Sequence, residues 1–88
     1  MAWRIDILPA ARKALEELSA EDNRRIIGFL EERVALAADP ERLAKALSGR
    51  LKGLWRYRVG DYRIVARIEK GKLVILVITI AHRSTVYR

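Results

Sequence analysis

Residues 54–68 read LWRYRVGDYRIVARI, and four arginines alternate there with large apolar side chains. A guanidinium offers phosphate a planar fork of paired donors and keeps its charge at neutral pH, so such a group suits a phosphodiester. With Gly60-Asp61 as a two-residue turn, Val59 faces Tyr62, Arg58 faces Arg63, Tyr57 faces Ile64 and Arg56 faces Val65. Period-two alternation then puts Trp55, Tyr57, Val59, Tyr62, Ile64, Ala66 and Ile68 on one side, and Arg56, Arg58, Arg63, Val65 and Arg67 on the other. A slip of one residue would drive the arginines into the core, so the pattern specifies its own register. Arg58 and Arg63 become direct cross-strand neighbours of like charge, an unfavourable placement in isolation. The second half of the chain offers only Asp61 and Glu69 as acids. The basic face therefore reads as built for an external anion, either phosphate or an acidic partner. A solvated face with splayed arginines is the plainer alternative.

The ending AHRSTVYR supplies the remaining groups with chemistry. His82 is the sole histidine, and an imidazole suits proton transfer, although an exposed or hydrogen-bonded residue past a strand end fits the spacing equally. Arg83 follows the last strand and is placed to reach the basic face. Tyr87 either stacks on a base and joins proton transfer, or tethers the terminus. Lys45, Arg50 and Lys52 extend the basic footprint, unless they are ordinary solvated loop charge. There is no cysteine, which excludes disulfides and thiolate metal sites and fits a reducing cytoplasm. One histidine without neighbouring acids makes no metal site, and nothing calls for a cofactor.

The elements that must carry these groups follow from periodicity. AWRIDIL alternates as a short strand, and Pro9 suits the first turn of a helix whose stripe is Ala11, Ala14, Leu15 and Leu18. SAED at 19–22 resembles a capping box, with Ser19 as cap and Asp22 in the usual Glu/Gln position. A second amphipathic helix carries Ile26, Ile27, Leu30, Val34 and Ala37 and stops at Asp39-Pro40. ERLAKAL at 41–47 adds a helical turn; the rest is β, with turns at Gly60-Asp61 and Gly71-Lys72. LVILVITIA at 73–81 lacks strict alternation, as a central strand covered by helices would, and is far shorter than the ~20 residues that span a bilayer. The expectation is one α+β domain over 1–88, order β-α-α-β-β-β, with a helical hairpin on one face of a small twisted, mainly antiparallel sheet. Charge divides along the same line. Residues 1–44 hold seven Lys/Arg against nine Asp/Glu, and residues 45–88 hold eleven against two, so net charges of −2 and +9 make up the total of +7. A half so basic attracts phosphates or acidic protein; without a basic amphipathic helix in it, a membrane is not expected as partner.

LSGRLKGLWRYRVGDYRIVARIEKGKLVILVITIAHRSTVY, residues 47–87, resembles the C-terminal half of the RelE/ParE toxin superfamily, most of all its RelE branch. The L-x-G before the hairpin, WRYRVGDYRIV, the apolar last strand and the closing HR…VY carry the likeness, and the preceding strand and helix pair match the family's order. The resemblance implies a type II toxin that enters the ribosomal A site and cuts mRNA without a metal, by attack of a ribose 2′-OH on the adjacent phosphate. It implies a cognate antitoxin that wraps the toxin, here through an acidic or amphipathic segment over the basic face. Carried over by position, the catalytic set is Arg56, Arg58, Arg63, Arg83 and Tyr87. Some relatives have lysines where Arg56 and Arg58 stand; guanidinium is a poor proton carrier, which points to His82 or Tyr87 for proton transfer. Lys45, Arg50, Lys52 and Arg67 are expected to meet RNA or ribosome. The competing readings are a ParE-like toxin that binds DNA gyrase and cuts no RNA, and a non-catalytic RNA-binding module.

Overall fold

The N-terminal strand β1 (Arg4–Ile7) enters the sheet because its even-spaced isoleucines face the helices. A computed structural model describes residues 2–83 and shows β1 running parallel to the last strand, β5 (Val74–His82), with Arg4 opposite Val74 and Ile7 opposite Val77. Pro9 opens α1 (Pro9–Glu16), whose Ala11 and Leu15 are buried. Ser19 caps α2 (Ala20–Gly28), its Oγ accepting from the Asp22 N–H at 3.1 Å. The Asn23 side-chain amide donates to the Leu15 carbonyl at 2.9 Å and locks the two helices as a hairpin.

The second helical segment departs from the expected regular helix. After Gly28 it continues as a π-helical turn over Phe29–Val34, where the Ala35 N–H donates to the Leu30 carbonyl at 2.8 Å. The wider turn still buries Leu30 and Val34, and the Ala35 carbonyl accepts from the Trp3 N–H at 2.7 Å, joining the helix end to the chain start. The helical turn expected over 41–47 is a shorter 3₁₀ turn, and the second half of the stretch is strand. A 3₁₀ turn over Pro40–Leu43 is followed by a two-residue strand, β2 (Lys45–Ala46), at the sheet edge. Its pairing with β3 (Trp55–Val59) supplies hydrogen bonds that a lone helical turn without an apolar stripe could not.

The sheet is five-stranded in the order β1-β5-β4-β3-β2, with β4 spanning Tyr62–Glu69. The helices and π-turn cover one face, where Ala11, Leu15, Ile26, Leu30 and Val34 pack on Tyr57, Val59, Ile64, Ala66, Ile75, Val77 and Ile80. This is the α+β arrangement expected. Among the described residues, no helix is long and apolar enough to cross a membrane.

Gly60 and Leu73 adopt positive φ, +58° and +56°. Gly60 is the first central residue of the β3–β4 turn and the only one of the two with positive φ, the arrangement of a II′ turn. A Cβ there would also lie 2.9 Å from the Arg25 guanidinium, whose flexible end can shift. The backbone strain decides the outcome. Gly60→Ala is expected to destabilise the protein by about 1–2 kcal/mol in chemical denaturation.

Candidate functional site: an arginine pocket at the end of the sheet

The β3–β4 register is the expected one in every pair: Val59 with Tyr62, Arg58 with Arg63, Tyr57 with Ile64, Arg56 with Val65. The open face of the sheet thus carries Arg56, Arg58, Arg63 and Arg67, with Lys45 beside Arg56 across β2–β3. Val65, the one apolar residue among them, is 7% exposed and sits in the row between Arg56 and Thr79.

The β4–β5 ladder contains a bulge. Val65 pairs with Thr79 and Ala66 with Val77, so Ile78 is an extra residue in β5. Because successive side chains point to opposite faces, one inserted residue reverses which β5 side chains face the arginines beyond it. Tyr62 therefore lies opposite His82, and Arg63 opposite Ala81. Arg83, two residues past Ala81, falls on the arginine face.

At that end of the sheet Arg58, Arg63 and Arg83 surround a cavity of about 100 Å³ together with Gly60, Asp61 and Tyr62. The Arg83 N–H donates to the Asp61 carbonyl at 2.7 Å, fixing the chain past β5 against the turn. Its guanidinium lies 3.8 Å from the Asp61 carboxylate, with both side chains more than 60% exposed. A long, solvated pair of this kind holds Arg83 only weakly. Arg56, Arg58 and Arg67 have no carboxylate within 4.0 Å among the described residues. Three guanidinium groups thus line a small space with Asp61 as the one acid that lines it among the described residues, and such a space suits the anionic oxygens of a phosphate.

The other expected site residues divide. Lys45 and Arg56 continue the basic surface along the sheet. Arg67 shares the face but stands four residues along β4 from Arg63, ~13 Å at strand rise, so it lies outside the pocket. Arg50 sits exposed in a 3₁₀ turn over Gly49–Leu51, and Lys52 is exposed just after it. Tyr87 lies outside the described residues. His82 stands on the helical face, its ring edge-to-face with Tyr62 at 5.3 Å between centroids and 83°.

Tyr62 and Asp22 are what residue patterns missed. The Tyr62 hydroxyl donates to Asp22 Oδ2 at 3.0 Å across forty residues of chain. That hydrogen bond to a carboxylate, helped by partial desolvation, raises the phenol above its ordinary value of 10.0. Asp22 had been legible only as part of a helix cap; its carboxylate instead reaches the sheet. Among the described residues, no cluster of three or more His, Cys, Asp or Glu could hold a metal ion.

Comparison with known proteins gives this geometry a class. The chain matches the family described as ParE toxin of type II toxin–antitoxin system, parDE, over residues 5–87, and it belongs to that family: it is a toxin of the RelE/ParE superfamily. Toxin RelE of Mycobacterium tuberculosis is 45% identical over 53 residues, which make up 60% of this chain and 55% of that protein, about half its length. Toxin RelG of the same organism is 26% identical over 88 residues, covering 100% of this chain and 99% of that one. The fold is similar to the toxin–antitoxin complex RelBE2 from M. tuberculosis (TM-score 0.86, 23% identity, 96% and 94% of the chains covered). It is also similar to an archaeal RelE–RelB complex from Pyrococcus horikoshii (TM-score 0.68, 27% identity, 98% and 100% covered).

Proposed function

We propose that this toxin is a ribosome-dependent endoribonuclease that cuts mRNA in the A site. One observation carries the reading: Arg58, Arg63 and Arg83 gather around one pocket of phosphate dimensions. In the reaction the ribose 2′-OH gives up its proton as its oxygen bonds to the adjacent phosphorus, the bond to the 5′-oxygen of the next nucleotide breaks, and that oxygen takes up a proton, leaving a 2′,3′-cyclic phosphate and a 5′-OH. Negative charge accumulates on the non-bridging oxygens midway. Fixed guanidinium groups around those oxygens stabilise that charge without reorganising, which is often the largest single catalytic contribution. Arg63 and Arg83 fill this role, with Arg58 and Arg56 binding and orienting the strand.

Proton transfer falls to Tyr87 or to groups of the ribosome and message, because His82 faces the helices. A site this poor in acid–base groups depends on the ribosome to orient the message and to supply effective molarity. Lys45, Arg50, Lys52 and Arg67 engage RNA along the flanking surface. The cognate antitoxin neutralises the toxin through an acidic or amphipathic segment laid over the basic face, in keeping with the +9 charge of residues 45–88.

Induction in cells, followed by mapping of mRNA 5′ ends on ribosomes, tests the reading. The expected result is immediate loss of protein synthesis with cuts inside codons at the A site, and negligible multiple turnover on naked RNA. Filamentation with DNA damage and intact messages would instead identify gyrase as the target.

A further inference from the structure

Asp22 and His82 do not line the arginine pocket, yet they are joined to it through one residue. Tyr62 donates its hydroxyl to Asp22 in the first turn of α2 and receives the His82 ring edge-on. In the chain, Tyr62 sits between Asp61 and Arg63, and His82 sits between Ala81 and Arg83. Tyr62 is therefore flanked on both sides, and His82 on one, by residues that line the pocket. The bulge at Ile78 sets this parity, turning His82 toward Tyr62 and leaving Arg83 free to join Arg58 and Arg63.

We propose that Asp22, Tyr62 and His82 form a positioning bracket that holds Arg83 and the Gly60-Asp61 turn in place behind the pocket. The bracket rests on the phosphate-pocket reading but not on cleavage. Arg83 needs such support. Its own carboxylate contact is long and solvated, and its other anchor among the described residues is the N–H bond to the Asp61 carbonyl. The Tyr62–Asp22 hydrogen bond fixes the start of β4 to the helix. The edge-to-face rings then fix the end of β5 to the start of β4. Removing either joint lets Arg83 swing away and lowers anion affinity, although no group that meets the anion has changed. His82 contributes to the bracket through its ring contact with Tyr62.

The test uses the whole toxin titrated with inorganic phosphate, following the backbone and side-chain N–H signals of Arg83 by NMR, beside hydrogen exchange at the Arg83 amide. Tyr62→Phe, Asp22→Ala and His82→Ala are each expected to weaken phosphate binding about fivefold to tenfold and to speed Arg83 exchange. His82→Phe keeps an aromatic edge against Tyr62 and is expected to restore most of the affinity lost in His82→Ala; Asp22→Asn keeps an acceptor and restores part of the loss. Unchanged affinity and exchange in the three disruptive variants, or a wild type whose Arg83 signals ignore phosphate, overturns the bracket. So does His82→Phe behaving like His82→Ala. Phosphate affinity that falls as expected, in a toxin that leaves ribosome-bound message intact, keeps the bracket and discards the nuclease.

Discussion

Alanine at Arg63 or at Arg83 is expected to lower single-turnover cleavage of ribosome-bound message by about 10²–10³-fold, the loss seen when one preorganised donor to a developing oxyanion is removed. The two losses are not expected to add. Both guanidiniums line one pocket, and on the proposed mechanism they act on the same phosphate oxygens, so removing the second takes away part of what the first removal has already spoiled. Arg63 stands directly opposite Arg58, so truncating it relieves one like-charge contact across the ladder. The melting temperature of Arg63→Ala, measured beside the rate, separates loss of chemistry from loss of fold. Arg67→Ala separates chemistry from docking: outside the pocket, it is expected to weaken ribosome engagement and flatten its salt dependence while the rate of bound message stays the same. Full-speed cleavage by Arg63→Ala would remove the pocket from the mechanism.

The hairpin was legible because two local signals agree. Alternation from Trp55 to Ile68 allows one register that keeps charge out of the core, and Gly60-Asp61 supplies a turn that enforces it. The bulge that sets the facing of His82 and Arg83 was not legible, for a reason of parity. A regular ladder from the Glu69–Val74 pair onward would set Arg63 opposite Ile80 and send His82 to the arginine face, with Arg83 on the helical side. Ile78 reverses this by one residue, and nothing in an apolar run such as VILVITIA marks which position will bulge. The parallel pairing of β1 with β5 and the Tyr62–Asp22 bond are also long-range choices, made by packing between distant segments. The strand at Lys45–Ala46 was hidden for another reason: RLAKA has helix-forming composition, but burial of Pro40 and the edge of β3 decide its path.

Tyr57→Ala is expected to have the largest effect on stability, because this one side chain supports the basic strand from behind. Tyr57 is completely buried, lies edge-on to Phe29 with ring centroids 5.8 Å apart, and donates its hydroxyl to the Pro40 carbonyl at 2.9 Å. That last bond ties β3 to the 3₁₀ turn that leads into β2, and so sets Lys45 beside Arg56. Truncating a buried aromatic costs about 3–5 kcal/mol. A chain of this size holds only ~4–13 kcal/mol in total, so urea unfolding of Tyr57→Ala should begin near zero denaturant if the protein sits at the lower end. Tyr57→Phe keeps the ring but orphans the Pro40 carbonyl, and is expected to cost about 1–3 kcal/mol. The pair also differ in alkali. Burial, reinforced by Glu41 and Asp39, pushes the phenol well above its ordinary value of 10.0. A pKa raised on folding gives stability that is present below the unfolded value and lost as pH climbs past it, so the wild type weakens above about pH 10. Tyr57→Phe lacks that ionisation, and its stability should fall less steeply over the same range. Parallel alkaline slopes for the two proteins would mean that Tyr57 ionises in the folded state as readily as in the unfolded one, and the buried contact with Pro40 would then be absent in solution.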